Sequence, residues 1–141
     1  MGTDADSASK PLTRREAERL LAHYQDLAGS GTPDRMIEAF TSDVIVRFAD
    51  FPEMRGEAEL KRFLVSRVAR QKDYRLKKRL RAVSGDVVVC SWDGTWQDGH
   101  DGRSMKGSGV EIMTIRDGKV AVWEAVFNVW EQGTSGSLPI V

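Results

Sequence analysis

The sequence predicts an α+β fold, with three helices in the N-terminal half packed on the concave side of a curved antiparallel sheet that forms a cone. Two observations carry this reading. Helical spacing of apolar residues is confined to the first half of the chain, whereas from Tyr74 onward the residues alternate between tight turns. The later strands also carry apolar side chains on both faces, so a layer of helices covers only one of them. At 141 residues the chain is long enough for one domain with a substantial core.

The elements follow in order. Thr13-Arg-Arg-Glu16 is a capping box, and Ala17, Leu20, Leu21, Tyr24, Leu27 and Ala28 then recur on one helical face. Gly29-Ser-Gly31 stops that helix. Pro33 opens a short second helix with Met36, Ile37, Ala39 and Phe40 on its buried side. Residues 44–48 are β-branched and short, hence a strand, and residues 56–70 return to helical spacing through Leu60, Phe63, Leu64 and Val68. Residues 74–82 alternate, with Tyr74, Leu76, Leu80 and Ala82 on one face. Ser84-Gly85-Asp86 turns the chain into a returning strand over residues 87–96. A polar loop over residues 98–103 precedes a strand at 108–116. Asp117-Gly118 is a strong hairpin signal and leads into the last strand, residues 119–130. The domain is expected over residues 12–132, with a disordered segment at 1–11 and a flexible tail at 133–141.

Composition excludes several classes. Formal net charge is zero, and the one cysteine, Cys90, rules out an internal disulfide framework and suits a reducing cytoplasm. No apolar run is long enough to span a bilayer, and the N-terminus lacks the apolar core of a signal peptide, so no membrane partner is expected. His23 and His100 have no partners at metal-ligand spacing, and no metal or cofactor is expected.

The order of elements, the run Gly-Val-Glu-Ile-Met-Thr-Ile-Arg-Asp-Gly-Lys-Val (residues 109–120) and the Trp-Glu-Ala-Val-Phe ending resemble the nuclear transport factor 2-like superfamily. That group includes the ketosteroid isomerases, scytalone dehydratases, limonene epoxide hydrolases and SnoaL-like polyketide cyclases. The resemblance covers roughly residues 13–131, most of a single domain by size. Residues 55–60 and 73–76 are most similar to a bacterial branch with no assigned reaction. What the resemblance implies is a hydrophobic cavity for a small apolar or aromatic molecule. As an enzyme it would be a cofactor-independent isomerase, lyase or cyclase. As a non-catalytic module it would bind a ligand or a protein partner.

Against the ketosteroid isomerase pattern, the tyrosine position falls on Tyr24 and the later acid on Glu111. The base position falls on Phe48. A phenyl ring accepts no proton, so the resemblance does not bring that base chemistry to this chain. Tyr24 and Glu111 would face one another across the cavity. If apolar surroundings keep Glu111 neutral, the pair could donate hydrogen bonds to a ligand carbonyl or enolate. If Glu111 is ionised, it could itself be the base. In a filled core, the two would simply satisfy one another.

Other residues join the candidate site by position. Asp50 lies two residues beyond Phe48 and reaches the pocket mouth as a displaced base if the strand continues. Lys78 interrupts the apolar face of its strand, where a buried lysine could pair with Glu111 or form a Schiff base, or run out to the sheet edge. Trp92 and Trp96 share a face with Cys90 and Gly94, and Trp123 and Phe127 share one on the last strand. With Phe48 and Met113 these side chains are the expected ligand contacts. Cys90 reads as a small core residue.

Residues 61–81 hold ten Lys or Arg against one Asp. Arg75, Lys77, Arg79 and Arg81 project from one strand face, a weak site for an anionic partner. Tyr74 is the only ring on the strand that carries these four charges, which argues against nucleic acid. Val87, Val89, Val110 and Ile112 make the opposite sheet face apolar, and a homodimer is the expected cover.

Overall fold

The computed structural model describes residues 10–134. The disorder expected for the first residues and the flexible tail expected at the end lie almost wholly outside this range. The elements are α1 (Arg14–Ala28), α2 (Pro33–Met36), a 3₁₀ turn (Ile37–Ala39), β1 (Phe40–Phe48), β2 (Met54–Arg55), α3 (Glu57–Arg70), β3 (Gln71–Ser84), β4 (Val87–Asp98), β5 (Ser104–Arg116) and β6 (Lys119–Glu131).

Local chemistry explains most boundaries. The capping box forms: Thr13 Oγ1 accepts from the Glu16 N–H at 3.1 Å, and Glu16 Oε1 accepts from the Thr13 N–H at 2.9 Å. Ala17, Leu21, Tyr24 and Leu27, spaced by three and four, form the buried stripe of α1. The second helix is shorter than its spacing suggests. It tightens into the 3₁₀ turn after Met36, and Phe40 is already the first residue of β1 rather than part of a helical face. Asp117 and Gly118 both adopt positive φ, 54° and 75°, as a two-residue hairpin of the mirror-image type requires.

The six strands form one curved, unclosed sheet in the order β2-β1-β6-β5-β4-β3. Only β1 and β6 pair in parallel; the long meander from β3 to β6 is antiparallel throughout. Register sets the cavity wall. One row across the sheet runs Leu80, Cys90, Glu111, Ala125 and Phe48, and its neighbour runs Lys78, Trp92, Gly109 and Phe127. The helices lie over this face. A β-bulge between Leu80 and Ala82 shifts the alternation of β3, so Ala82 is exposed and Val83 half-buried, the reverse of the expected facing.

Candidate functional site

Between the helices and the concave face lie two adjoining cavities of about 340 and 450 Å³. They share Ala28, Arg67, Gln71, Tyr74, Lys78 and Trp123 in their walls. The larger is lined by Phe48, Trp92, Trp96, Trp123 and Phe127, with Lys78 and Glu111 among them. Tyr24 and Met113 line the smaller. Asp50 lines neither. The strand ends at Phe48, Ala49 turns with φ 38°, and Asp50 is carried out to solvent, which breaks the alternation that its placement assumed.

The aromatic wall is built on close edge-to-face contacts. Phe48 meets Trp123 at 4.4 Å between ring centroids, Phe63 at 5.5 Å and Phe127 at 5.9 Å. Glycine makes room for it. A Cβ on Gly109 would collide with the Val126 carbonyl and with Phe127, and one on Gly107 would press on Trp92 and Trp96 at 3.1–3.2 Å.

Glu111 is the polar centre. It is only 3% exposed. Lys78 Nζ forms an ion pair with Oε1, the Cys90 thiol donates to the same oxygen at 3.2 Å, and the Trp123 indole N–H donates to Oε2 at 2.7 Å. Burial alone would push this carboxyl up. The Lys78 ammonium and the hydrogen bonds from Lys78, Cys90 and Trp123 together pull harder, and they hold it below the ordinary carboxylate range. The same surroundings, first burial and then the Glu111 charge, push the Cys90 thiol up to about 12, so it serves as a neutral donor.

Tyr24 has a different partner from the one expected. Its hydroxyl donates to the Gly118 carbonyl at 2.9 Å, and burial raises its pKa well above the usual phenol range. A buried phenol needs an acceptor, and the β5–β6 turn supplies one. Glu111 finds its cation in Lys78 instead. Lys78 stays inside, its side chain 7% exposed, because the register places it two residues along the sheet from Cys90 and within reach of Glu111.

Several residues of the site were not anticipated. Cys90 hydrogen-bonds Glu111 rather than merely filling core. Arg67 Nε donates to Gln71 Oε1 at 2.7 Å and its Nη2 to the Tyr74 hydroxyl at 3.2 Å, both on the shared cavity wall. The signal was present: Arg67 and Gln71 are four residues apart, and Tyr74 shares strand parity with Lys78. At the rim, Asp98 is buried and takes Arg70 Nη2 at 3.0 Å and the His100 N–H at 2.7 Å. The His100 amide and then Arg70 keep its carboxyl below the usual range.

The arrangement can hold an apolar molecule and meet one of its oxygens with the protons of Lys78 not used by Glu111. Helices over a curved, open sheet with such a cavity define a nuclear transport factor 2-like domain. Residues 18–123 match the SnoaL-like domain, and the chain belongs to that family. No curated protein matches the sequence. Among solved structures, the chain is similar to SalBIII, an epoxide hydrolase/cyclase-like enzyme with a role in pyran ring formation in the polyether salinomycin. That match has 18% identity and a TM-score of 0.72, and it covers 82% of this chain and 97% of that one. An LEH-like epoxide hydrolase of M. tuberculosis matches at 18% identity and TM-score 0.67, over 81% of this chain and 84% of that one. A proposed isomerase from Bacillus subtilis matches at 13% identity and TM-score 0.71, over 81% and 87%. At these identities the likeness is one of fold.

Proposed function

We propose that this protein binds a small, largely apolar molecule in its aromatic cavity and acts on it as a cofactor-independent isomerase, lyase or cyclase. The observation that carries the reading is the buried Lys78–Glu111 pair in the wall of an otherwise apolar cavity. Two charges taken out of water are costly, and hydrophobic residues of similar size would fill the space at no loss of stability. Set beside a cavity, the same pair supplies a fixed ammonium for a developing oxyanion and a carboxylate that can take a proton from a substrate carbon or hydroxyl and return it. In this reading Lys78 takes the place beside Glu111 first assigned to Tyr24. Tyr24, held neutral on Gly118, lines the smaller cavity. The fold-level neighbours include epoxide hydrolase/cyclase-like and isomerase proteins, which is consistent with acid–base work in such a cavity.

The test is turnover on a panel of epoxides, hydroxy-epoxides and enones. Glu111→Gln should lower turnover by about 100-fold or more while N-phenyl-1-naphthylamine still binds. Turnover unchanged in that variant would remove Glu111 from the mechanism.

A second reading has its own observation. Both Glu111 oxygens are already engaged, by Lys78 and Cys90 on one and Trp123 on the other, as in a rigid structural anchor. A binding module without chemistry would then bind the probe and turn over nothing on the panel. Under either reading we assign a cytoplasmic homodimer. Cys90 is a free thiol, and Val110, Ile112 and Val126 leave an apolar strip exposed on the convex face.

A further inference from the structure

We propose that the ligand of this cavity carries a carboxylate, and that Arg67 receives it. The inference rests on the reading that the cavity binds a small molecule, and it narrows the class to amphipathic organic acids.

Four cations line the larger cavity: Arg67, Arg70, Lys78 and Arg103. Three of them have carboxylates of their own. Lys78 pairs with Glu111, Arg70 with Asp98 and Arg103 with Asp101. Arg67 has no carboxylate partner among the described residues. Its two hydrogen bonds go to neutral acceptors, Gln71 Oε1 and the Tyr74 hydroxyl, and its guanidinium carbon lies 5.4 Å from the centre of the Tyr74 ring. Arg67 is half-buried and lines both cavities, beside Leu64 and Val68 in the smaller and Phe63 in the larger.

A guanidinium has five N–H donors, and two are used here. The contacts with Gln71 and Tyr74 tie the last turn of α3 to the start of β3, which accounts for the position of the side chain. They do not neutralise its charge. A half-buried cation without a counter-ion, against apolar walls, is a recognition site for a planar oxyanion, and a carboxylate matches the guanidinium fork in shape and charge. The rest of the site directs the anion to Arg67. Lys78 is already paired with Glu111, so the centre of the wall offers a second negative group no net positive charge. The apolar body of the ligand would then lie along Phe48, Trp92, Trp96 and Phe127.

The experiment compares two isosteres, 2-naphthoate and 2-naphthamide, by isothermal titration calorimetry and by quenching of tryptophan fluorescence. Wild-type protein should bind the naphthoate about tenfold more tightly or better. Arg67→Met, which keeps the aliphatic stem, should remove that preference and leave naphthamide affinity within about twofold. Arg67→Lys should retain part of the preference, and Arg67→Gln replaces the Met variant if circular dichroism shows the latter unfolded. Equal binding of both probes to the wild type would overturn the carboxylate assignment while leaving the small-molecule cavity intact. A preference that persists without the Arg67 charge would overturn the residue assignment. If neither probe binds, the cavity reading fails and this inference fails with it.

Discussion

Strand β5 buries one charged residue on its inner face and leaves two apolar residues exposed on its outer face. On the concave face Glu111 is buried between Gly109 and Met113, while Val110 and Ile112 on the convex face are 41% and 42% exposed. Neighbouring strands repeat the contrast, with Lys78 buried on β3 and Val126 65% exposed on β6. Each face carries an exception to the usual partition of side chains, and each exception needs a specific remedy. Inside, the remedy is within the chain: a matched cation and two neutral donors. Outside, the described residues supply none, and the proposed remedy is a second copy of the chain. Charge buried beside a cavity and apolar surface left bare are the two features that folding alone does not explain.

The largest effect is expected inside. Lys78→Met leaves Glu111 as an unpaired buried charge and should cost about 3–5 kcal/mol in chemical unfolding. Glu111→Leu should cost a similar amount by stranding the ammonium. The double variant should recover most of the loss, with stability near or above that of the wild type, and should be inactive. Additive losses would show that the two side chains do not act as a pair.

The pair also has a pH signature. The folded Glu111 carboxyl lies below its ordinary value of 4.5, so the folded state binds fewer protons than the unfolded chain across that interval. Its contribution is therefore fully present above about pH 4.5 and is lost as pH falls through the lower folded value. Stability–pH curves of wild type and double variant should diverge only in that acid range.

A smaller effect is expected in the smaller cavity. Tyr24→Phe leaves the Gly118 carbonyl without its donor and should cost about 1 kcal/mol. The smallest effects are on the outer face. Val126→Asp should change monomer stability by less than about 0.5 kcal/mol yet convert a dimer to a monomer in light scattering. A wild-type protein that is already monomeric would remove the second copy as the cover of that face. Asp43→Asn removes an exposed partner of Arg116 and should leave chemical unfolding almost unchanged, in contrast to the loss expected for the buried pair.

Much of this was legible in the sequence where one physical rule governs one segment. The capping box, the Asp-Gly turn and strict alternation located α1, the β5–β6 hairpin and the inward rows of β4 and β5. Parity put Lys78 on the apolar face of its own strand, and its pairing with Glu111 followed as one of several possibilities. What was not legible depends on contacts between distant segments. The partner of Tyr24 is a backbone carbonyl 94 residues away, which no side-chain pattern marks. The bulge after Leu80 changes facing without any glycine or proline to signal it. The Ala49 turn that removes Asp50 is a backbone choice made by a residue with little preference for it. Phe40 was read as helical because the apolar spacing at Met36, Ile37 and Ala39 continues smoothly into the strand.

The most direct measurement is the site of ligand contact in solution, from intermolecular nuclear Overhauser effects to bound N-phenyl-1-naphthylamine. Contacts from its ring protons to the Trp92 and Trp123 indoles and to Phe127 are the expected result, since these line the cavity beside Lys78 and Glu111. Contacts to Val110, Ile112 and Val126 instead would place binding on the convex face and contradict the assignment of the inner face as the functional one.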